Sequence, residues 1–159
     1  MTSRLSQPSL FGSGIGRSAV AHIDGGARGN PGPAGYGVRI ECDGEIVELK
    51  EALGVTTNNV AEYRGLLAAL AWAAAHGVSR FIVRSDSELL VKQMRGEYKV
   101  KNEGLKPLSA GARRLIAEIG DVRFEHVRRE RNKDADRLAN EAMDEHVASG
   151  FSRKDTTSG

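Results

Sequence analysis

The dipeptide Asp43-Gly44 stands between two stretches that alternate in polarity, with Tyr36, Val38, Ile40 and Cys42 before it and Val47, Leu49 and Glu51 after it. Asp-Gly flanked by alternating runs specifies a two-residue β-hairpin, because the tight turn needs residues that tolerate positive φ. An earlier run, Val20-Ala21-His22-Ile23-Asp24, ends at Gly25-Gly26 and adds a strand ahead of the hairpin. Three antiparallel strands therefore open the fold. From residue 57 to 76 the period changes: Val60, Tyr63, Leu67, Leu70 and Ala74 recur at spacings of three and four. Thr57 or Asn58 is available as an N-cap and Gly77 as a stop, so this segment reads as an amphipathic helix.

Further on, Arg80-Phe81-Ile82-Val83-Arg84 reads as a strand whose apolar centre suits burial on both faces between helices. A helix from Ser87 to Met94 follows and Gly96 ends it. Leu108 to Ile119 reads as another helix, Asp121 to Val127 as a strand, and Asn132 to Val147 as the last helix. The order βββαβααβα implies an α/β fold, a mixed sheet flanked by helices.

The chain has 159 residues, the size of one domain, and 40% hydrophobic residues, enough for one continuous core. With 23 Lys+Arg against 21 Asp+Glu the net charge is only +2, so any basic binding surface must be local. Cys42 is the single cysteine and has no zinc-site spacing around it, which fits a reducing compartment and a cytoplasmic location. No run of about 18 apolar residues is present, which excludes a transmembrane helix. Residues 1–18 have no continuous apolar region and read as a flexible extension, 19–148 as the folded domain, and 149–159 as a flexible tail.

Four carboxylates sit where elements begin or end. Asp24 ends the first strand, Glu62 lies early in the long helix, Asp86 follows the buried strand, and Asp136 lies in the first turns of the last helix. Each has an ordinary structural use, as a helix cap, a dipole partner or a turn residue. Glu62 resists it, since Leu66, Ala69 and Ala73 share its face of the helix; Asp136 is similarly aligned with Ala139 and Met143. An acid directed at a core is costly unless paired or bound to a cation. Four carboxylates without a thiol or imidazole cluster select a hard divalent ion, Mg²⁺ or Mn²⁺.

The local sequences around these acids sharpen the reading. The segment from Asp24 through Gly25-Gly26, Arg28-Gly29-Asn30-Pro31-Gly32-Pro33 to Gly37 resembles the opening motif of type 1 ribonuclease H. Thr57-Asn58-Asn59-Val60-Ala61-Glu62-Tyr63 is similar to the family's second motif, Ser85-Asp86-Ser87 to its third, and Asn132-Lys133-Asp134-Ala135-Asp136 to its fourth. The four occur in the family's order and cover roughly residues 19 to 145. The resemblance implies a ribonuclease H-like fold with a five-stranded mixed sheet. It implies an endonuclease that cuts the RNA strand of RNA/DNA hybrids and leaves 5′-phosphate and 3′-hydroxyl ends. Asp24, Glu62, Asp86 and Asp136 would be catalytic and would hold two Mg²⁺ or Mn²⁺ ions with substrate bound.

Choosing RNA requires sensing the 2′-hydroxyl, which donates and accepts hydrogen bonds. The resemblance assigns that contact to Asn30, Asn58 and Asn59, with Gly25 and Gly26 permitting close backbone approach. Their alternative uses are turns and helix caps. Two departures stand out: Met94 to Leu108 is too short for the basic handle of many bacterial members, and Val127-Arg128-Arg129-Glu130-Arg131 replaces a longer loop that carries a histidine. His126 falls inside the last strand by alternation, which favours a structural role. Arg128 and Arg129 are left as candidates for phosphate contact. Handle-less relatives also accept double-stranded RNA, so that substrate is expected beside the hybrid; no obligate partner and a monomer are expected. A silent hybrid-binding module, or another nuclease of the same fold, is the competing reading. All four acids argue against the first, and the Asn-Pro-Gly-Pro and Thr-Asn-Asn stretches against the second.

Overall fold

The computed structural model describes residues 16–158. Strands β1 (Arg17–Ala27), β2 (Gly32–Cys42) and β3 (Glu45–Thr56) are followed by helix α1 (Asn58–Ala75), strand β4 (Val78–Ser85) and helices α2 (Glu88–Met94) and α3 (Lys106–Ile119). Strand β5 (Asp121–His126), a short 3₁₀ turn (Arg129–Arg131) and helix α4 (Lys133–Ser158) complete the fold. The five strands form one mixed sheet in the order β3-β2-β1-β4-β5. β1, β2 and β3 pair antiparallel, whereas β4 runs parallel to β1 and β5 parallel to β4. The expected βββαβααβα order is the observed one.

The Asp43-Gly44 turn forms as its chemistry requires, with φ of 53° and 79° at the two residues. It fixes a register in which Cys42 faces Glu45 and Ile40 faces Val47. Alternation then sends Tyr36, Val38, Ile40 and Cys42 to one face, together with Ala19, Ala21 and Ile23 of β1, and all of them are buried. α1 covers this face through Tyr63, Leu66, Leu70 and Ala73, and α2 and α3 extend the same layer with Leu90, Val91 and Ala112. A buried hydrogen bond of 2.7 Å from the Tyr63 hydroxyl to Gln93 Oε1 joins α1 to α2. Arg113 of α3 donates to the Gln93 carbonyl at 3.0 Å.

α4 packs on the opposite face. A side chain at Gly37 would lie 2.5 Å from the Ala135 carbonyl oxygen and 2.6 Å from Ala139 N, so glycine is what lets the helix backbone rest on β2. α4 contacts β1, β2 and β3 and leaves that face of β4 and β5 uncovered among the described residues. The expectation that β4 is buried on both faces is therefore corrected: Phe81 and Val83 are buried, but Arg80 is exposed and Ile82 and Arg84 are half-buried.

Element boundaries moved where tertiary pairing overrode local pattern. β1 starts at Arg17, inside the stretch expected to be a flexible extension, and residues 1–15 lie outside the described residues. α4 continues to Ser158 instead of ending at Val147, passing through Gly150. A glycine inside a helix costs about 1 kcal/mol, which weakens a helix without stopping it. No described helix is long and apolar enough to cross a membrane.

Candidate active site

β1 and β4 run side by side, and their pairing stops at Ile23 opposite Ser85. The next residue of each chain segment is an acid: Asp24, still on β1, and Asp86, just past the end of β4. Parallel strands of an open α/β sheet part at their carboxyl ends and leave a crevice there. Asp24 does not end β1, as the sequence suggested; its pairing with Gly37 of β2 carries the strand on to Ala27. It is the partner β4 that stops.

α1 brings the third acid. Its N-cap is Thr57, whose hydroxyl accepts from Val60 N at 3.2 Å. The first turns press on β1 so closely that a side chain at Gly25 would lie 2.4 Å from the Ala61 carbonyl carbon and 2.6 Å from Glu62 N. That contact sets Glu62 beside Asp24. On α2, Ser87 is the N-cap: its hydroxyl accepts from Leu90 N at 3.2 Å.

One oxygen from each of Asp24, Glu62 and Asp86 can be chosen so that all three lie within 4.8 Å of one another. Asp136 is outside this triplet and lies near Asp24 in the first turns of α4, where its carboxyl helps to raise Asp24. All four carboxylates line one open cleft of roughly 750 Å³. Burial, then the Asp86 charge and the contact with Asp136, push the Asp24 carboxyl up to about 8. Burial raises Glu62 to about 7, with the Ser87 hydroxyl opposing the rise. Asp86 is raised by burial too, against the opposing pull of Arg129. Such acids resist sharing negative charge in the metal-free protein. The triplet offers only oxygen donors, a set matched to hard divalent ions such as Mg²⁺ or Mn²⁺.

The amides expected around the acids divide into two kinds. The Asn30 side-chain oxygen accepts from Asn58 N at 3.0 Å, and the Asn58 side-chain oxygen accepts from Ala27 N at 2.7 Å. Both oxygens are thus spent on joining the Gly-rich loop to the start of α1, and Asn30 is not in the cleft wall. Asn59 is exposed, lines the cleft and has no protein hydrogen bond through its side chain among the described residues. The close approach at Gly25 is taken up by α1. At Gly26 nothing lies nearer than 3.7 Å, so its face stays open.

Arg128 and Arg129 both reach the cleft. Arg129 lies 4.0 Å from Asp86 with its side chain 87% exposed. One cleft residue lies elsewhere than alternation placed it, and another carried no sequence expectation. His126 is the last residue of β5, exposed and in the cleft wall, because the strand ends one residue earlier than alternation suggested. Asn140 also lines the cleft and accepts from Arg28 at 3.4 Å; its spacing of four from Asp136 on one helix was the available signal.

A family model described as reverse transcriptase-like matches residues 22–142. The chain is 48% identical over 128 residues to the bifunctional protein Rv2228c of Mycobacterium tuberculosis, a match that takes in 79% of this chain and 35% of that protein. It therefore spans about a third of the length of that relative. The solved N-terminal RNase H domain of Rv2228c, a maltose-binding protein fusion, superimposes with a TM-score of 0.81 at 45% identity, covering 84% of this chain and 99% of that one. LC11-RNase H1, solved in complex with an RNA/DNA hybrid, gives a TM-score of 0.76 at 43% identity over 81% of this chain and 99% of that one.

Proposed function

The chain belongs to the type 1 ribonuclease H family, and from that membership we propose that it is a metal-dependent endonuclease that hydrolyses the RNA strand of RNA/DNA hybrids. The observation that carries the proposal is the triplet of acids within 4.8 Å, raised by burial and by one another's charge. LC11-RNase H1, solved with a hybrid bound, supports the choice of substrate.

Asp24, Glu62, Asp86 and Asp136 would hold Mg²⁺ or Mn²⁺, two ions with substrate bound. The ions would supply a water of lowered pKa and charge neutralisation at the leaving 3′-oxygen, giving 5′-phosphate and 3′-hydroxyl ends. The protein's own part is placement. Gly25 and the α1 backbone hold Glu62 against Asp24, with Ser87 of α2 in the same cleft wall. Asn59 offers a free amide that both donates and accepts, as a 2′-hydroxyl requires. Asn30 and Asn58 keep their NH₂ groups for the same strand while their oxygens hold the loop. Arg129, exposed and at long range from Asp86, can exchange that carboxylate for a phosphate oxygen, with Arg128 beside it.

Only residues 95–105 connect α2 to α3, so no helical handle adds phosphate contacts. The proposal therefore includes weaker binding of hybrid than a handle would give, activity on double-stranded RNA as a secondary substrate, and a monomeric cytoplasmic enzyme. The test is cleavage of labelled hybrid, double-stranded RNA and a DNA duplex, each with Mg²⁺, with Mn²⁺ and with chelator. Metal-dependent cutting of the RNA strand of the hybrid is expected; cutting that survives chelation, or that spares the hybrid, would overturn the proposal.

A further inference from the structure

Asn132 stands immediately before α4, where an asparagine ordinarily turns its side-chain oxygen to a free N–H of the first helical turn. It does not do so here. The residue is 1% exposed and its Oδ1 has no hydrogen-bond partner, the one such buried side-chain atom among the described residues. A buried oxygen left unpaired is a cost that folded proteins seldom carry without a return elsewhere.

The other end of the same amide shows where that return lies. Nδ2 donates to the carbonyl oxygen of Ile23 at 2.9 Å, across 109 residues of chain. Ile23 is the last residue of β1 paired with β4 and the residue directly before Asp24. The main chain of Asn132 makes two more bonds: its N–H donates to the Arg129 carbonyl at 2.9 Å, and its carbonyl accepts from Asp136 N at 3.0 Å. One buried residue is thus bonded to the neighbour of the first acid, to the fourth acid, and to the arginine that faces Asp86. A serine or aspartate could cap α4 with its own side chain but would present no amide donor to β1.

We infer that Asn132 is a positioning residue, whose side-chain amide ties the start of α4 to β1 and so sets the placement of Asp136 against Asp24. The inference rests on the metal-site reading above but concerns a residue that touches neither metal nor substrate. Without the tie, α4 keeps its packing through Gly37, Leu138 and Ala139, while its first turn is free to shift away from Asp24. The loss should therefore fall on metal binding and turnover more than on hybrid affinity.

The experiment compares wild type, Asn132→Ala, Asn132→Ser, Asp136→Asn and the Asn132→Ala/Asp136→Asn double variant, with Ile40→Val as a control for general destabilisation of the same sheet. Mg²⁺ affinity is read by calorimetry without nucleic acid, and kcat and KM on hybrid well below the melting temperature. Asn132→Ala is expected to lose roughly tenfold in Mg²⁺ affinity and in kcat with KM for hybrid unchanged, the scale of an outer contact that orients a ligand. Asn132→Ser keeps a capping hydroxyl, so it should melt closer to wild type yet show the same losses, and it carries the test if Asn132→Ala fails to fold. Added to Asp136→Asn, the alanine change should cost less than twofold more. Wild-type Mg²⁺ affinity and kcat in Asn132→Ser, or losses matched by Ile40→Val, would reduce Asn132 to a structural residue and overturn the inference. An Asp136→Asn variant with unchanged Mg²⁺ binding and cleavage would instead count against the metal-site reading itself.

Discussion

Two groups of carboxylates lie on either side of the first turns of α4 and are treated in opposite ways. Where α4 meets β2 and β3, every acid faces a cation: Lys50 bridges Glu141 and Glu145, Arg137 bridges Glu48 and Glu141, and Arg39 reaches Asp134. Hydrogen bonds from Lys50 and Arg137 hold the Glu141 carboxyl below its ordinary range. In the cleft, Asp24, Glu62 and Asp86 face one another and are all raised. The first group is exposed, satisfied and worth little to stability. The second is held in a cluster that the protein's own cations leave largely uncompensated, and that unresolved charge is what makes it a site for a divalent ion. The protein thus keeps charge that dresses its surface apart from charge that does chemistry.

The largest effect should come from changing one acid in each group. Glu62→Gln is expected to lower cleavage of hybrid by about a thousandfold, the scale of losing one preorganised electrostatic contact at a reacting centre. Glu48→Gln, at the α4–β3 contact, should leave kcat/KM unchanged. Equal effects in a single-turnover assay would erase the distinction between the two groups.

The amides sharpen it next. Asn59→Ala should cost about tenfold in kcat/KM, equivalent to roughly 1.4 kcal/mol, with the metal dependence unchanged. Asn30→Ala should act first on stability, because its oxygen holds Asn58 N; a loss of about 1 kcal/mol is the usual scale for removing such a cap. Paired melting curves and cleavage rates decide this, and an inert Asn59→Ala would move 2′-hydroxyl recognition to the open backbone face at Gly26.

These divisions show what was legible in the sequence and what was not. The Asp43-Gly44 hairpin, the period change at residue 57 and the ordered acids could be read directly, because local turn chemistry and side-chain period decide them. The end of β1 could not, since Asp24 marks where β4 stops, and that depends on a strand more than fifty residues away. The same holds for Asn30 and Asn58, whose residue types suit substrate contact and loop bracing alike; only the folded loop shows their oxygens engaged with Asn58 N and Ala27 N. Alternation places His126 in a strand interior, yet pairing ends at Ser85 opposite His126 itself, and the side chain falls at the cleft. The uncovered face of β4 was equally hidden, because the placement of α4 is set by glycines on β2 and not by anything in β4.

A smaller effect concerns pH in the metal-free protein. A carboxyl whose folded pKa lies above its unfolded value contributes stability at low pH and loses it as pH rises through the folded value. With Asp24 raised to about 8 and Glu62 to about 7, the metal-free melting temperature should fall between pH 5 and pH 8. Asp24→Asn should flatten that slope, and Mg²⁺ should reduce it in the wild type by binding the ionised form. A melting temperature that rises over this interval would mean that the acids are satisfied without metal.

The smallest effect belongs to the paired acids. Arg39→Ala should shift the melting temperature by no more than about 3 °C, the scale of an ion pair whose acids, Glu41 and Asp134, are exposed, in a domain of this size. It should leave Mg²⁺ binding untouched. A larger shift would show that the α4–β2 contact depends on charge and not on the close packing at Gly37.

The most direct test of the account is the single-turnover rate of Asp86→Asn on RNA/DNA hybrid at saturating Mg²⁺, with the melting curve of the same sample as the check on folding. The amide keeps the shape of the side chain and removes only the charge that a divalent ion requires. The account predicts a folded protein, melting at or above the wild type in chelator, that does not cut the hybrid above background. Cleavage near the wild-type rate would contradict it.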